Sequence, residues 1–197
     1  SEIVRQLVRF SPKVLICVDH SETGLYHLEM DLQKMNKIHM CKLIVGDIKD
    51  EMKMRQIFEE FQPVICFHAA AYKHVPLMES QVSEAIKNNV LGTKQIADLS
   101  VEFKCQRFVM ISTDKAVNPT SVMGASKRMA EIYIQSLCKT QSDTKFITTR
   151  FGNVLGSNGS VIPLFKQQIE NGGPLTVTHP EVTRFFMTIK EACQLVL

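Results

Sequence analysis

The stretch VMISTDKAVNPTSVMGASK, residues 109–127, sets the fold class of this chain. Val109 to Ile111 end an apolar run of strand character, and Ser126 to Cys138 carry apolar residues on one face of a helical pattern. Between them stand two hydroxyls, a carboxylate and an amine: Ser112, Thr113, Asp114 and Lys115. Polar groups just past the carboxyl end of a strand are where open α/β sheets bind ligands. Met123 and Lys127 are four residues apart, so both project from one helix face. A lysine there can hold a cofactor ribose and lower the pKa of a neighbouring acid. The plainer alternative is a helix start with a loop acid as cap and a solvated lysine.

Outward from this stretch, short apolar runs alternate with helical patterns. Strands are expected at 14–18, 42–45, 64–68, 107–111 and 146–150. Helical periodicity covers 1–10, 24–35, 49–61, 82–102, 126–139 and 162–171, with a last helix near 189–197. Such alternation predicts a parallel sheet with crossover helices, an α/β Rossmann-like doubly wound fold. After Arg150 the texture changes: Gly152, Gly156, Gly159, Pro163, Gly172, Gly173, Pro174 and Pro180 make loops and short elements. The expected organisation is a dinucleotide-binding domain over 1–150 and the start of a substrate-binding region over 151–197.

A complete domain of this type starts with a strand and a glycine-rich turn. Here the first residues already read as a helix, and no G-x-G-x-x-G occurs. The fold is therefore expected to be truncated at its first strand, with an incomplete substrate region. In the usual strand order that missing strand is central. The runs 14–18 and 64–68 are then expected to pair directly, or to borrow a strand from another copy, because stranded buried amides cost roughly 1–3 kcal/mol each.

Composition narrows the function. The 197 residues are 45 % hydrophobic and 22 % charged, an ordinary globular balance. A net charge of +3 carries no basic stripe of the kind nucleic acid requires, but it suits an anionic small molecule. Six cysteines are scattered singly without C-x-x-C, so neither a metal site nor a redox pair is indicated. Free thiols in apolar runs fit a reducing cytoplasm. No apolar run reaches the ~18 residues of a membrane helix.

The remaining candidates each follow a strand. Asp19, in Asp19-His20-Ser21-Glu22, can bind ribose hydroxyls or cap the next helix. Asp47 can bond an adenine amino group with Ile48 against the ring, or act as a cap. His68-Ala69-Ala70-Ala71 lets a backbone approach a flat ligand or pack closely on a helix. Lys73 and His74 offer a cation and an imidazole at the cleft rim. Asn88 and Asn89 interrupt a helical pattern where asparagine is a poor choice, which reads as a polar kink or a solvated face. Asn153, in Gly152-Asn153-Val154-Leu155-Gly156, can bind phosphate or a sugar hydroxyl or form a turn. Arg184 can pair with a diphosphate or stay on the surface.

Taken together, HAAAYKHVPLME (68–79), NNVLGT (88–93), STDKAVNPTSVMGASK (112–127), RFGNVLGSNGS (150–160) and TRFFM (183–187) resemble the extended short-chain dehydrogenase/reductase superfamily. More narrowly they resemble the nucleotide-sugar 4,6-dehydratases of bacterial polysaccharide biosynthesis. The resemblance implies a UDP-N-acetylhexosamine substrate, a tightly held NAD and a homo-oligomer. Binding of NAD by these 197 residues alone is expected to be weak or absent. A cytoplasmic enzyme is implied, with the parent protein tethered to the inner face of the membrane by a region outside this chain. The catalytic set implied is Thr113, Asp114, Lys115, Met123 and Lys127. The cofactor set is Asp19, Ser21, Asp47, Ile48, Ala69, Ala70, Lys73, Asn89 and Lys127, and His74, Asn153 and Arg184 face the substrate.

The superfamily usually carries Tyr-x-x-x-Lys, and here Met123 takes the tyrosine position, as in several members of this branch. Methionine cannot exchange the proton, so the work passes to its neighbours. Lys115 is expected to take the C5 proton, and Asp114, kept protonated by its surroundings, to protonate the leaving C6 hydroxyl. Thr113 relays the C4 hydroxyl proton, and Lys127 binds the nicotinamide ribose. The alternatives are a related nucleotide-sugar epimerase or reductase, or a catalytically incompetent fragment of the dehydratase.

Overall fold

The computed structural model describes residues 1–141, 143–156, 161–177, 179–181 and 183–197. Gly159 and the rest of 157–160, within the loop expected after Arg150, lie outside the described residues. Five strands stand where the apolar runs place them: β1 (Leu15–Asp19), β2 (Cys41–Val45), β3 (Ile65–His68), β4 (Arg107–Thr113) and β5 (Lys145–Phe151). Every pairing among them is parallel. β4 is the buried centre, with Phe108, Val109 and Met110 covered and a partner on each side. Two short strands, β6 (Asn153–Val154) and β7 (Phe186–Met187), pair beyond the end of β5.

The helices begin at good caps. In α2 (Glu22–Lys34) the Ser21 hydroxyl accepts from Gly24 N, and in α3 (Glu51–Phe61) the Asp50 carboxylate accepts from Lys53 N. α1 (Glu2–Leu7) runs into a 3₁₀ turn at Val8–Phe10. A short helix not anticipated from periodicity, α4 (Val75–Glu79), follows β3 with proline in its first turn, where a missing N–H costs nothing. The long pattern at 82–102 is helical but not uniformly α. It divides into α5 (Val82–Ala85), a π-helical segment Ile86–Gly92 and α6 (Thr93–Glu102). The helix after β4, α7, spans Val122–Thr140 and so begins before the expected Ser126, with Ser121 as cap. α8 (Val161–Glu170) and α9 (Ile189–Gln194) complete the set.

Among the described residues two buried clusters pack on the five main strands, and a third, small one gathers Met78, Ala85 and Met123. The larger of the two gathers Phe108 and Met110 of β4 with Met54, Ile57 and Phe58 of α3, Ile96 and Leu99 of α6, and Ala130 and Ile134 of α7. The smaller joins Val8, Cys17, Leu25, Leu28 and Leu32 under β1 and β2.

The expected direct pairing of 14–18 with 64–68 is not formed. β1–β2 and β3–β4–β5 are separate sheets. At their starts these runs are open, with Val14 42 % and Ile65 41 % exposed, while Cys17 and His68 farther along are buried.

Candidate functional site

A cavity of ≈ 470 Å³ opens at the carboxyl ends of β3, β4 and β5. Thr113 and Lys115 reach it from β4 and the turn that follows, Met123 and Lys127 from α7, and Asn153 from β6. Ala69, Lys73 and His74 line it from the segment after β3. Eight of the residues picked out in the sequence thus share one wall.

Thr113, Asp114 and Lys115 form a tight hydrogen-bonded set. Thr113 Oγ1 donates to Asp114 Oδ1 at 2.9 Å, and Lys115 Nζ donates to the same oxygen at 2.9 Å. Lys115 Nζ also donates to Asn153 Oδ1 at 3.0 Å, tying the β4 turn to β6. Partial burial acts to raise the Asp114 carboxyl. The bonds from Lys115 and Thr113 and the lysine charge outweigh it and hold the group below the usual aspartate value. This corrects the expectation that its surroundings keep Asp114 protonated: in this arrangement it is a carboxylate.

The position of α7 is set by close contacts. A Cβ on Gly124 would lie 2.3 Å from the carbonyl oxygen of Lys115, so only glycine lets the helix approach the turn. The first helical amide, Val122 N, donates to Glu79 Oε1 at 2.9 Å, which places a negative group at the helix N-terminus. Met123 is buried against Met78 and Ala85, with Tyr72 beside them. Tyr72 also lines the cavity, and its ring lies under Lys49 Nζ at 5.7 Å. Lys127 is buried and donates to the carbonyl of Ile111 at 2.8 Å. Burial pulls its pKa down to about 8 against the opposing charge of Glu131.

Asn88 and Asn89 are buried, not solvated. Asn89 accepts from Tyr72 N at 2.8 Å and donates to Tyr72 O at 3.0 Å and to Ser126 Oγ at 3.0 Å. Its amide clips the segment after β3 to α7, and the π turn is what brings it inward. This is a structural use of a residue expected at the cofactor.

The two acids of the other sheet lie apart from this cavity. Asp19 ends β1 and accepts from Ser21 N at 2.9 Å, while the Ser21 hydroxyl serves as the cap already described. Asp47 accepts from Lys49 N at 2.9 Å and pairs with Lys49 Nζ at 2.8 Å. Ile48 packs on the larger core, over Gly92. Arg184 is exposed, bonds the carbonyl of Thr183 at 2.8 Å and does not reach the cavity.

The donor set fits a dinucleotide. Ala69 and Ala71 present no side chain beyond Cβ on the cavity wall, and Lys127 supplies a cation there. Asp19 and Asp47 stand at the carboxyl ends of adjacent strands, where ribose hydroxyls and an adenine amino group need acceptors.

Sequence reasoning missed Glu131, Ser112 and Arg150 as a unit. Glu131 is 0 % exposed and accepts from Ser112 Oγ at 2.6 Å, from Arg150 Nε at 2.8 Å and Nη2 at 2.6 Å, and from Arg128 Nη1 at 3.1 Å. The signal was present. Glu131 falls on the same helical face as Met123 and Lys127, and a glutamate in a buried stripe needs partners.

Comparison with known proteins places these features in context. The family profile described as "Polysaccharide biosynthesis protein" matches residues 1–197. The chain is 54 % identical to the capsular polysaccharide biosynthesis protein CapD of Staphylococcus aureus, covering all of this chain and 33 % of that protein. It is 40 % identical over 158 residues to a UDP-glucose 4-epimerase of Rickettsia canadensis, covering 79 % of this chain and 46 % of that one. Among solved structures it is similar to Pen from Bacillus thuringiensis, with TM-score 0.91 and 34 % identity over 99 % of this chain and 61 % of that chain. It shares its fold with the dTDP-glucose 4,6-dehydratase DesIV from Streptomyces venezuelae, solved with NAD and TYD bound. The TM-score is 0.84 at 22 % identity over 98 % of this chain and 66 % of that one. The chain thus spans about a third of the length of CapD.

Proposed function

The chain belongs to the polysaccharide biosynthesis protein family, and from that premise we propose that the protein removes water across C5 and C6 of a UDP-N-acetylhexosamine with NAD as its cofactor. Residues 1–150 would hold the cofactor and 151–197 would face the sugar. The observation that carries this reading is the consecutive set Thr113, Asp114 and Lys115, hydrogen-bonded at the end of β4 beside Lys127. Elimination needs an acid and a base side by side, and this pair supplies both.

When bound, NAD would supply a reversible hydride acceptor for C4 and donor for C6. Lys127 would hold its nicotinamide ribose, and Asp19 and Asp47 the adenosine end. Thr113 gives its proton to Asp114 as it takes the C4 hydroxyl proton. Asp114 starts as the carboxylate and becomes the acid through that relay, so the acid form arises during turnover. The C4 ketone acidifies the C5 proton, which Lys115 takes after giving its own ammonium proton to solvent on substrate binding, and later returns to C5. Asp114 then protonates the departing C6 hydroxyl. Asn153 keeps Lys115 Nζ in place throughout, and His74 contacts the sugar nucleotide. Met123 packs the wall.

Cytoplasmic work on a nucleotide sugar, with the parent protein tethered to the membrane, completes the proposal. Among the described residues no helix is long and apolar enough to cross a membrane. Exposed Met129 and Ile132 on α7 support a homo-oligomer, which sedimentation of the full-length protein tests.

The kinship to a UDP-glucose 4-epimerase favours a second reading, inversion at C4. Product analysis separates the two. Incubation of the full-length protein with UDP-N-acetylglucosamine and NAD should give a 4-keto-6-deoxy sugar by NMR. A C4 epimer with the C6 hydroxyl intact would establish the epimerase instead. Asp114→Asn with Lys115→Met should abolish that product and stop solvent deuterium entering C5. Parental product release by the double variant sinks the elimination scheme.

A further inference from the structure

Glu131 does not itself line the cavity, though its donor Ser112 does, and it takes four hydrogen bonds. Oε1 accepts from Ser112 Oγ and Arg150 Nε, and Oε2 from Arg150 Nη2 and Arg128 Nη1. That fills the acceptor capacity of one carboxylate. Two of these partners are opposite one another: Ser112 of β4 and Arg150 of β5 are paired residues in the parallel ladder. The next pair is Thr113 with Phe151, and beyond it the two strands are joined again by Lys115 Nζ on Asn153 Oδ1. One helical turn before Glu131, Lys127 Nζ holds the carbonyl of Ile111, the residue preceding Ser112. A single helix therefore grips β4 at two successive residues and β5 at one, directly beneath the proton-moving groups.

A buried ion pair of this kind adds little net stability over apolar packing. What it does supply is geometry, because a bidentate arginine–carboxylate pair fixes distance and plane together. We propose that Glu131 is a positioning residue that locks the ends of β4 and β5 to α7, so that Thr113, Lys115, Asn153 and Lys127 keep the spacing the reaction needs. The proposal rests on the dehydratase reading for its activity readout. Its structural readout is independent of that reading.

A second consequence is electrostatic. The titratable groups that share the cavity with Lys127 are Lys115, Lys73, His74, Tyr72 and Cys193, with buried His68 alongside. Glu131 is the negative charge that supports the Lys127 ammonium against burial. Removing it makes that ammonium more acidic.

The test is made in the full-length protein with Glu131→Gln, Glu131→Asp and Ser112→Ala. Glu131→Gln should lower kcat at least ~10-fold, as misplacement of reacting groups does, with KM for the UDP-sugar changed far less. Its alkaline activity limb should move to lower pH. Carbon-13 NMR of the lysine Cε of Lys127 should show the same downward move of the midpoint without any substrate. Glu131→Asp keeps the charge and should restore the limb while leaving kcat low, since the shorter side chain cannot reach both strands. A folded Glu131→Gln with parental kcat and an unmoved Lys127 midpoint overturns the proposal. If Glu131→Gln does not fold, Ser112→Ala decides. It leaves both arginine contacts in place, and a parental kcat in that variant also overturns the proposal. A wild-type protein that yields no 4-keto-6-deoxy sugar removes the dehydratase reading, and the NMR comparison then decides the positioning role alone.

Discussion

His68 ends β3 with its ring buried and its Nε2 2.8 Å from Thr93 Oγ1. Thr93 spends its own proton on the carbonyl of Asn89 at 2.7 Å, so the imidazole is the donor, held neutral with hydrogen on Nε2. Burial, reinforced by the Lys127 charge, pulls the His68 pKa from 6.5 down to about 3. Between those values the unfolded chain binds a proton that the folded chain does not, so stability falls as pH falls through this window, by up to ~1.4 kcal/mol per unit. Urea unfolding of wild type at pH 7 and pH 5 should therefore show a loss roughly 2 kcal/mol larger than that of His68→Gln. Equal losses would place the titration elsewhere. Lys127 carries the opposite kind of expectation, on activity. Its pKa of about 8 predicts an alkaline limb near that pH as the ammonium is lost. Lys127→Ala should lower turnover of the UDP-sugar by more than ~10²-fold. Near-normal turnover would take it out of the site.

Elements meet here through small residues and buried amides. α7 reaches the turn after β4 only because position 124 has no side chain: the nearest atom to an added Cβ is a backbone oxygen, which cannot rotate away. Gly124→Ala should therefore push α7 and the Asp114–Lys115 turn apart, at a cost of roughly 1–3 kcal/mol typical of overpacking. Thermal melting should register the stability loss. A paired fall in kcat should register the displaced lysine. A variant that melts and turns over like wild type would mean that the turn yields freely. The π segment Ile86–Gly92 acts in the same way from the other side. Its extra residue per turn carries Asn89 inward, where the side-chain amide satisfies both backbone groups of Tyr72. Polar residues in mid-helix announced a kink in the sequence. Which face they turned to, and what they held, depended on the segment after β3.

At the scale of the molecule, the two larger cores among the described residues lie under separate sheets, β1–β2 and β3–β4–β5. β4 lies between two partners, while β1 and β2 pair only with each other among the described residues. Native-state hydrogen exchange should therefore find the slowest amides at Phe108–Met110, with Leu15–Val18 opening earlier in a sub-global step. Equal protection across both sheets would show one cooperative unit. α9 packs against α1, and Cys193 and Val196 line the cavity beside Ile3. The glycine-rich region after Arg150 is thus drawn back onto the start of the chain.

The order of strands and helices was legible in residues 1–197 because hydrophobic period is a local property: Phe108 to Ile111 can hardly be read as anything but buried strand. The proposed reacting set was legible for the same reason, since Thr113, Asp114 and Lys115 are consecutive and Met123 and Lys127 one helical turn apart. The start of α7 was not, because Ser121 caps it only once the turn at 114–116 delivers the chain there. Nor was the charge on Asp114 or the role of Glu131. The role of Glu131 is decided by Arg150 and Ser112, each 19 residues away on a different strand, and the charge on Asp114 by the turn that brings its neighbours Thr113 and Lys115 onto one oxygen. Periodicity fixes which face of an element is buried. Only the tertiary fold decides which charges meet there, because ionisation follows distances between elements that local sequence does not contain.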